Sequence, residues 1–102
     1  MILYFPQAEA ELIEAARYYE DRRTGLGNDF LQVIFDAAQE IEASPRRWPI
    51  LKRPMRRRLV PKYPFGIIYV LHHEDIVVIA VAHLNRHPTY WLDRVEGPSS
   101  DP

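Results

Sequence analysis

The sequence predicts an α+β domain in which an antiparallel helical hairpin packs on a small, mostly antiparallel sheet, in the order β-α-α-β-β-β-α. Three observations carry this expectation. Two helix-periodic segments, at 7–23 and 28–43, are separated only by Thr24-Gly25-Leu26-Gly27, a link short enough to fold them back on each other. Three β-rich runs follow at 55–60, 65–71 and 76–83. The chain has 102 residues and is 47% hydrophobic, which suits one domain, expected over 1–96, with too little chain for a second.

The opening Ile2-Leu3-Tyr4-Phe5 is a short apolar strand closed by Pro6, which suits the first turn of a helix. From Gln7 to Arg23, Leu12, Ile13, Ala16 and Tyr19 recur on one helical face, widened by Ala8 and Ala15, while Glu9, Glu11, Glu14 and Arg17 take the other. Early acids and the late Arg22-Arg23 complement the helix dipole. In the second helix Asn28 or Asp29 is the expected N-cap. Phe30, Ile34, Ala37, Ala38 and Ile41 form its stripe, and Ser44-Pro45 ends it.

Pro45, Pro49 and Pro54 make 46–54 a loop, pinned by Trp48. Along 55–60, Met55, Arg57 and Leu59 share one strand face and Arg56, Arg58 and Val60 the other. Arg57 is expected to reach past the packed layer to water. After the Pro61–Pro64 turn, Phe65–Leu71 and Ile76–His83 form a hairpin through His72–Asp75. The second of these runs is apolar at both parities, so it is expected to be central and covered on both faces. A short helix over 89–95 and a disordered tail over 97–102 complete the expectation.

Several function classes are excluded at once. With no cysteine there is no disulfide framework and no thiolate zinc site, which suits a reducing cytoplasm. The longest uninterrupted apolar run, Ile76 to Ala82, is far too short for a membrane span, and the N-terminus lacks the pattern of a signal peptide. A soluble cytoplasmic protein with no membrane contact is expected. The net charge of −1 conceals an asymmetry. Residues 1–45 carry nine acids and three bases, 46–73 carry eight bases and no acid, and 74–102 carry five acids and two bases. A segment of +8 predicts a local positive field able to hold phosphate or an acidic protein segment.

In order along the chain stand Tyr18-Tyr19-Glu20, Gly25-Leu26-Gly27-Asn28-Asp29-Phe30 and Ile41-Glu42-Ala43-Ser44-Pro45-Arg46-Arg47-Trp48-Pro49. Then come Arg56-Arg57-Arg58-Leu59, Tyr63-Pro64-Phe65-Gly66-Ile67-Ile68-Tyr69 and His83-Leu84-Asn85-Arg86-His87-Pro88-Thr89-Tyr90-Trp91. In this order and spacing they resemble the RelE/ParE superfamily of bacterial type II toxin–antitoxin toxins, over nearly the whole chain.

The resemblance implies one of two activities. RelE-like members cut mRNA in the ribosomal A site, whereas ParE-like members block DNA gyrase. Cleavage by 2′-OH attack needs a base, cations around the phosphorane and an acid for the leaving oxygen. Carried over from RelE-like enzymes, the basic strand pair falls on Arg56 and Arg58, the later arginine on Arg86, and the C-terminal tyrosine on Trp91 with Tyr90 beside it. The middle-strand arginine falls on Gly66, so a phosphate-stabilising group is missing, and arginine is a poor base. His83 and His87 are the remaining candidates for acid–base work. If the chain is a nuclease, its catalytic set is Arg56, Arg58, His83, Arg86 and Tyr90, acting without a metal. As a zinc pair, His83 and His87 lack a third ligand nearby.

The ParE-like branch is favoured: a growth-inhibiting toxin of a plasmid-stabilisation module, with DNA gyrase as target. The ribosome-dependent ribonuclease is the alternative, and a non-toxic RNA- or protein-binding relative the second. The resemblance also implies a cognate antitoxin whose C-terminal segment wraps the toxin in a hetero-oligomer. The expected basic patch for target or antitoxin is Arg56, Arg58, Lys62, Arg86 and His87, and no cofactor or metal is expected. Tyr18, Tyr19, Trp48, Tyr69 and Trp91 are expected to serve packing, and His72 and His73 to be polar hairpin residues.

Overall fold

The computed structural model describes residues 1–96. Pro6, with its φ already helical, opens the first helix directly after the first strand. The elements are β1 (Ile2–Tyr4), α1 (Pro6–Arg22), α2 (Leu26–Ala43), β2 (Ile50–Lys52), β3 (Met55–Leu59), β4 (Phe65–His72), β5 (Asp75–His83) and α3 (Leu92–Glu96). The five strands form one sheet in the order β1-β5-β4-β3-β2, with β1 parallel to β5 and every other pair antiparallel. The expected helical hairpin on a mostly antiparallel sheet is therefore observed, with one strand more than the sequence suggested. The expectation of a disordered tail at 97–102 lies outside the described residues.

The additional strand is β2, inside the stretch expected to be a loop. Three residues between Pro49 and Pro54 are too few for a visible alternation, yet Ile50 pairs with Arg56 and Lys52 with Met55. The other departures are at helix ends. Neither Asn28 nor Asp29 caps α2, which starts earlier at Leu26 with Gly25 as N-cap. Gly25 has φ +91°, a conformation open to glycine at little cost. The acceptor comes from the preceding helix: Glu20 takes the N–H groups of Gly25 and Gly27 at 3.0 Å. The residues 89–91 form a turn ahead of the short α3 instead of its first helical turn.

Both sheet faces are covered, as the apolar β5 required. On one, the stripe Ala8, Leu12 and Ala15 of α1 and Phe30, Ile34, Ala37 and Ile41 of α2 pack on Ile67, Tyr69, Val78 and Val81. On the other, Met55, Ile68, Ile79, Ala80 and Ala82 gather around Trp91, which is 1% exposed. Ile13 departs from the expected stripe and is 46% exposed, as is Tyr18 at 51%. The hydroxyl of Tyr18 accepts from Arg22 at 2.5 Å, so it serves the surface of α1 and not the core. His72 and His73 are exposed at the hairpin, with φ +58° at His73.

Candidate functional site

The three strand arginines separate by parity. Arg56 pairs with Tyr69 and Arg58 with Ile67, so both point to the face that the helices cover. Arg56 Nη1 donates to the carbonyls of Arg46 at 3.2 Å and Trp48 at 2.7 Å. Arg58 donates to Leu59 O at 2.5 Å and forms an ion pair with Glu40 of α2. Its guanidinium also lies 5.0 Å from the centre of the Trp48 ring, and that of Arg47 lies 4.9 Å from the same centre. The Tyr69 hydroxyl donates to Pro45 O at 2.6 Å. These contacts fasten 45–49 to the sheet, so the two arginines act here as anchors of that connection.

Arg57 faces the other way, paired with Ile68. Its stem lies half-buried over Gly66, where an added Cβ would stand 3.1 Å from Cγ and 3.2 Å from Cδ of Arg57. Glycine at the position where an arginine was missing in the middle strand thus makes room for the arginine of its neighbour.

Lys62 is remote from both groups. It donates to Asp29 Oδ2 at 2.6 Å, and the Tyr63 hydroxyl donates to the same oxygen at 2.6 Å. The Lys62 hydrogen bond, then that of Tyr63, holds the Asp29 carboxyl below its ordinary range. Burial, and then the hydrogen bond to Asp29, push the Tyr63 phenol up to about 12.

The residues after β5 converge on a carboxylate that the sequence pattern placed on a solvent face. β1 pairs with β5 only from Ile76 to Val78, and Phe5 N–H takes Val78 O, leaving the edge beyond open. Glu11 fills it. Its Oε1 accepts Val81 N–H at 3.0 Å and Arg94 Nη1 at 3.0 Å, while Oε2 accepts Arg94 Nη2 at 2.8 Å and the Tyr90 hydroxyl at 2.6 Å. Arg94 also donates to Ile79 O at 3.1 Å. Arg86 lies over the Tyr90 ring, 3.6 Å from its centre, and reaches Glu11 at 3.4 Å. Burial first, then the bond to Glu11, raises the Tyr90 phenol above its ordinary range.

His83 and His87 follow on the same turn. The His83 ring packs edge-on to Phe65 at 5.1 Å, and its Nδ1 accepts Asn85 N–H at 3.0 Å. Nδ1 of His87 accepts Thr89 N–H at 3.3 Å. The Thr89 hydroxyl lies at the same 3.3 Å from His87 Nδ1. A nitrogen accepting a backbone N–H carries no proton itself, so the neutral His83 ring is the Nε2–H tautomer.

Two clefts meet at this end of the sheet. A groove of about 570 Å³ runs between α1 and the sheet end, lined by Ala15, Tyr18, Tyr19, Phe65 and Val81 and by the charged Glu11, Glu14 and Arg86. On the opposite side a smaller cleft of about 60 Å³ is lined by Arg57, His83, Arg86 and His87 with Tyr90 and Trp91. The expected basic patch therefore lies in three places: Arg56 and Arg58 under the helices, Lys62 on Asp29, and Arg86 with His87 after β5. Sequence reading did not single out Glu11 or Arg94 and set Arg57 aside. Among the described residues, no group of three or more His, Asp or Glu could hold a metal ion.

This arrangement is similar to known proteins. The family model described as "ParE toxin of type II toxin-antitoxin system, parDE" matches residues 2–88. The solved structure described as "Chromosomal ParDE TA system from P. aeruginosa" superposes with a TM-score of 0.73 at 12% identity, covering 82% of this chain and 95% of that chain. At that identity the likeness is one of fold. No curated protein matches the sequence. With the family model spanning all but α3 and the flanking ends, the chain belongs to the ParE toxin family of type II toxin–antitoxin systems.

Proposed function

We propose that this chain inhibits growth by poisoning DNA gyrase and is neutralised by a cognate antitoxin, as in a plasmid-stabilisation module. One observation carries the choice of gyrase over mRNA cleavage: the candidate site is lined by donors, and its carboxylate is already engaged. Nδ1 of His83 accepts the Asn85 N–H, which leaves Nε2–H as the free donor of the neutral ring. Arginines stay protonated at any ordinary pH. The Tyr90 hydroxyl donates to Glu11, and Glu11 already accepts from Val81, Tyr90 and Arg94. A 2′-hydroxyl therefore meets no free acceptor on His83 Nδ1, Tyr90 or Glu11. Arg56 and Arg58, the pair a nuclease would need at the phosphate, are engaged with the 45–49 connection and Glu40.

The antitoxin reading draws on the groove beside α1. Its lining of Ala15, Tyr18, Tyr19, Phe65 and Val81 offers apolar surface to a segment that folds on binding. The ParDE system named for the structural neighbour supports a toxin–antitoxin pairing of the same kind.

The test is a supercoiling reaction with purified gyrase and relaxed plasmid, run beside a translating extract whose mRNA is mapped for cuts. Inhibited supercoiling with intact mRNA is expected. Codon-phased cuts with gyrase unaffected would make the chain a ribonuclease. No effect in either reaction would leave a toxin's fold serving as a binding module.

A further inference from the structure

We infer that the small cleft after β5, lined by Arg57, His83, Arg86 and His87, is an anion site that takes a backbone phosphate of duplex DNA. The groups come from different parts of the sheet. Arg57 reaches across Gly66 from β3, His83 ends β5, and Arg86 and His87 follow on the turn. No acid lines the cleft. Among the described residues the Arg57 guanidinium makes no ion pair or hydrogen bond, although its stem is packed, so its donors are held in place and unspent. Arg86 is oriented by lying flat on Tyr90.

The histidines add to the donors. Nδ1 of His83 accepts the Asn85 N–H, so the proton of its neutral ring lies on Nε2, while Nδ1 of His87 meets both the N–H and the hydroxyl of Thr89 at 3.3 Å. Two arginines and two histidines thus line one small space, an arrangement that suits an oxyanion and repels a cation. A cleft of about 60 Å³ suits one tetrahedral oxyanion and not a nucleobase. The two large aromatic rings of the cleft are closed to an unpaired base: Trp91 is 1% exposed and Arg86 already covers Tyr90. The ligand is read by its phosphate, which positions a nucleic acid without reading its sequence. The choice of DNA rests on the gyrase reading above, while the anion site itself does not.

The experiment follows the side-chain N–H resonances of the full chain by NMR while inorganic phosphate, then a short DNA duplex, is added. Saturable shifts of Arg57 and Arg86 Nε–H and of His83 and His87 Nε2–H are expected with both. Arg57→Met keeps the stem over Gly66 and removes the charge. It is expected to weaken duplex binding about tenfold and lower the slope of log affinity against log salt by about 1, with Arg57→Lys between the two. Unfolding midpoints of the variants show whether the fold is kept. A single-stranded RNA of equal length is expected to bind less tightly and stay intact. Absent shifts, or a salt slope unchanged in a folded Arg57→Met, would overturn the site. Tighter binding or cleavage of the RNA would overturn its assignment to duplex DNA. Normal duplex binding by a protein that leaves gyrase untouched would sink the gyrase reading and leave the anion site standing.

Discussion

Glu11 Oε1 accepts the backbone N–H of Val81 at 3.0 Å, so a side chain of the first helix takes the place of a neighbouring strand along β5. An open strand edge is an invitation to pair with another chain. Here β1 covers only its first part, and Glu11 with Arg94 satisfies the next N–H and C=O groups. The same carboxylate holds Tyr90 and Arg94, so edge protection and the docking of α3 depend on one residue.

Glu11→Ala is expected to cost about 3 kcal/mol, because it leaves the largely buried Arg94 charge without its partner. Glu11→Gln, which keeps an acceptor for Val81, is expected to cost less. Urea unfolding of both variants, with sedimentation to detect association through the freed edge, measures this.

Gly27→Ala is expected to destabilise the helical hairpin by about 1–3 kcal/mol. A Cβ there would lie 2.6 Å from Ala16 O, a backbone atom of the facing helix, so relief requires moving one helix. At Gly25 the space is open and the obstacle is the φ of +91° alone, so Gly25→Asn is expected to be milder than Gly25→Val. Thermal unfolding of the four proteins gives the comparison.

Arg56→Met is expected to lower stability by about 1–3 kcal/mol through the lost bonds to Arg46 O and Trp48 O. Its DNA affinity is expected to change less than that of Arg57→Met, since Arg56 sits on the helix-covered face. Finding Arg56→Met fully stable and Arg57→Met unchanged in DNA binding would reverse the roles given to the two side chains.

The Tyr63 phenol gives a pH dependence of definite sign. Its value in the folded state is raised to about 12 from an ordinary value near 10, so the folded chain holds the proton more tightly than the unfolded one. The resulting stabilisation is complete below about pH 10 and is lost as pH rises toward 12. Asp29 acts at the other end of the scale: its carboxyl is lowered, so its contribution is present above the ordinary carboxylate range and disappears as acid protonates it. Unfolding midpoints against pH are expected to fall at both extremes, and Tyr63→Phe is expected to flatten the alkaline limb. An unchanged alkaline limb in Tyr63→Phe would show that other tyrosines govern it.

What the sequence made legible was local periodicity. Phe30, Ile34, Ala37 and Ile41 fell at helical spacing and do form the stripe of α2, and the apolar run at 76–82 is covered on both faces as its composition demanded, although beyond Val78 only β4 flanks it. Parity correctly separated Arg57 from Arg56 and Arg58 but could not say which side the helices would cover. Glu11 shows the limit most plainly. Helical spacing describes a residue's place on its own helix, and the demand that Glu11 meets arises on β5, where β1 is too short to pair. The strand β2 was hidden because its pairing with β3 overrides the proline-rich character of the surrounding chain. The small cleft depends on Arg57 of β3 reaching diagonally over Gly66 of β4, a relationship of register that no single segment displays.

On the function proposed above, the chain acts on DNA gyrase and leaves RNA uncut. Pulse labelling in the first minutes after tightly controlled induction tests it most directly. Thymidine incorporation is expected to fall first while methionine incorporation continues. A first fall in methionine incorporation, with thymidine uptake still normal, would contradict the account and place the target in translation.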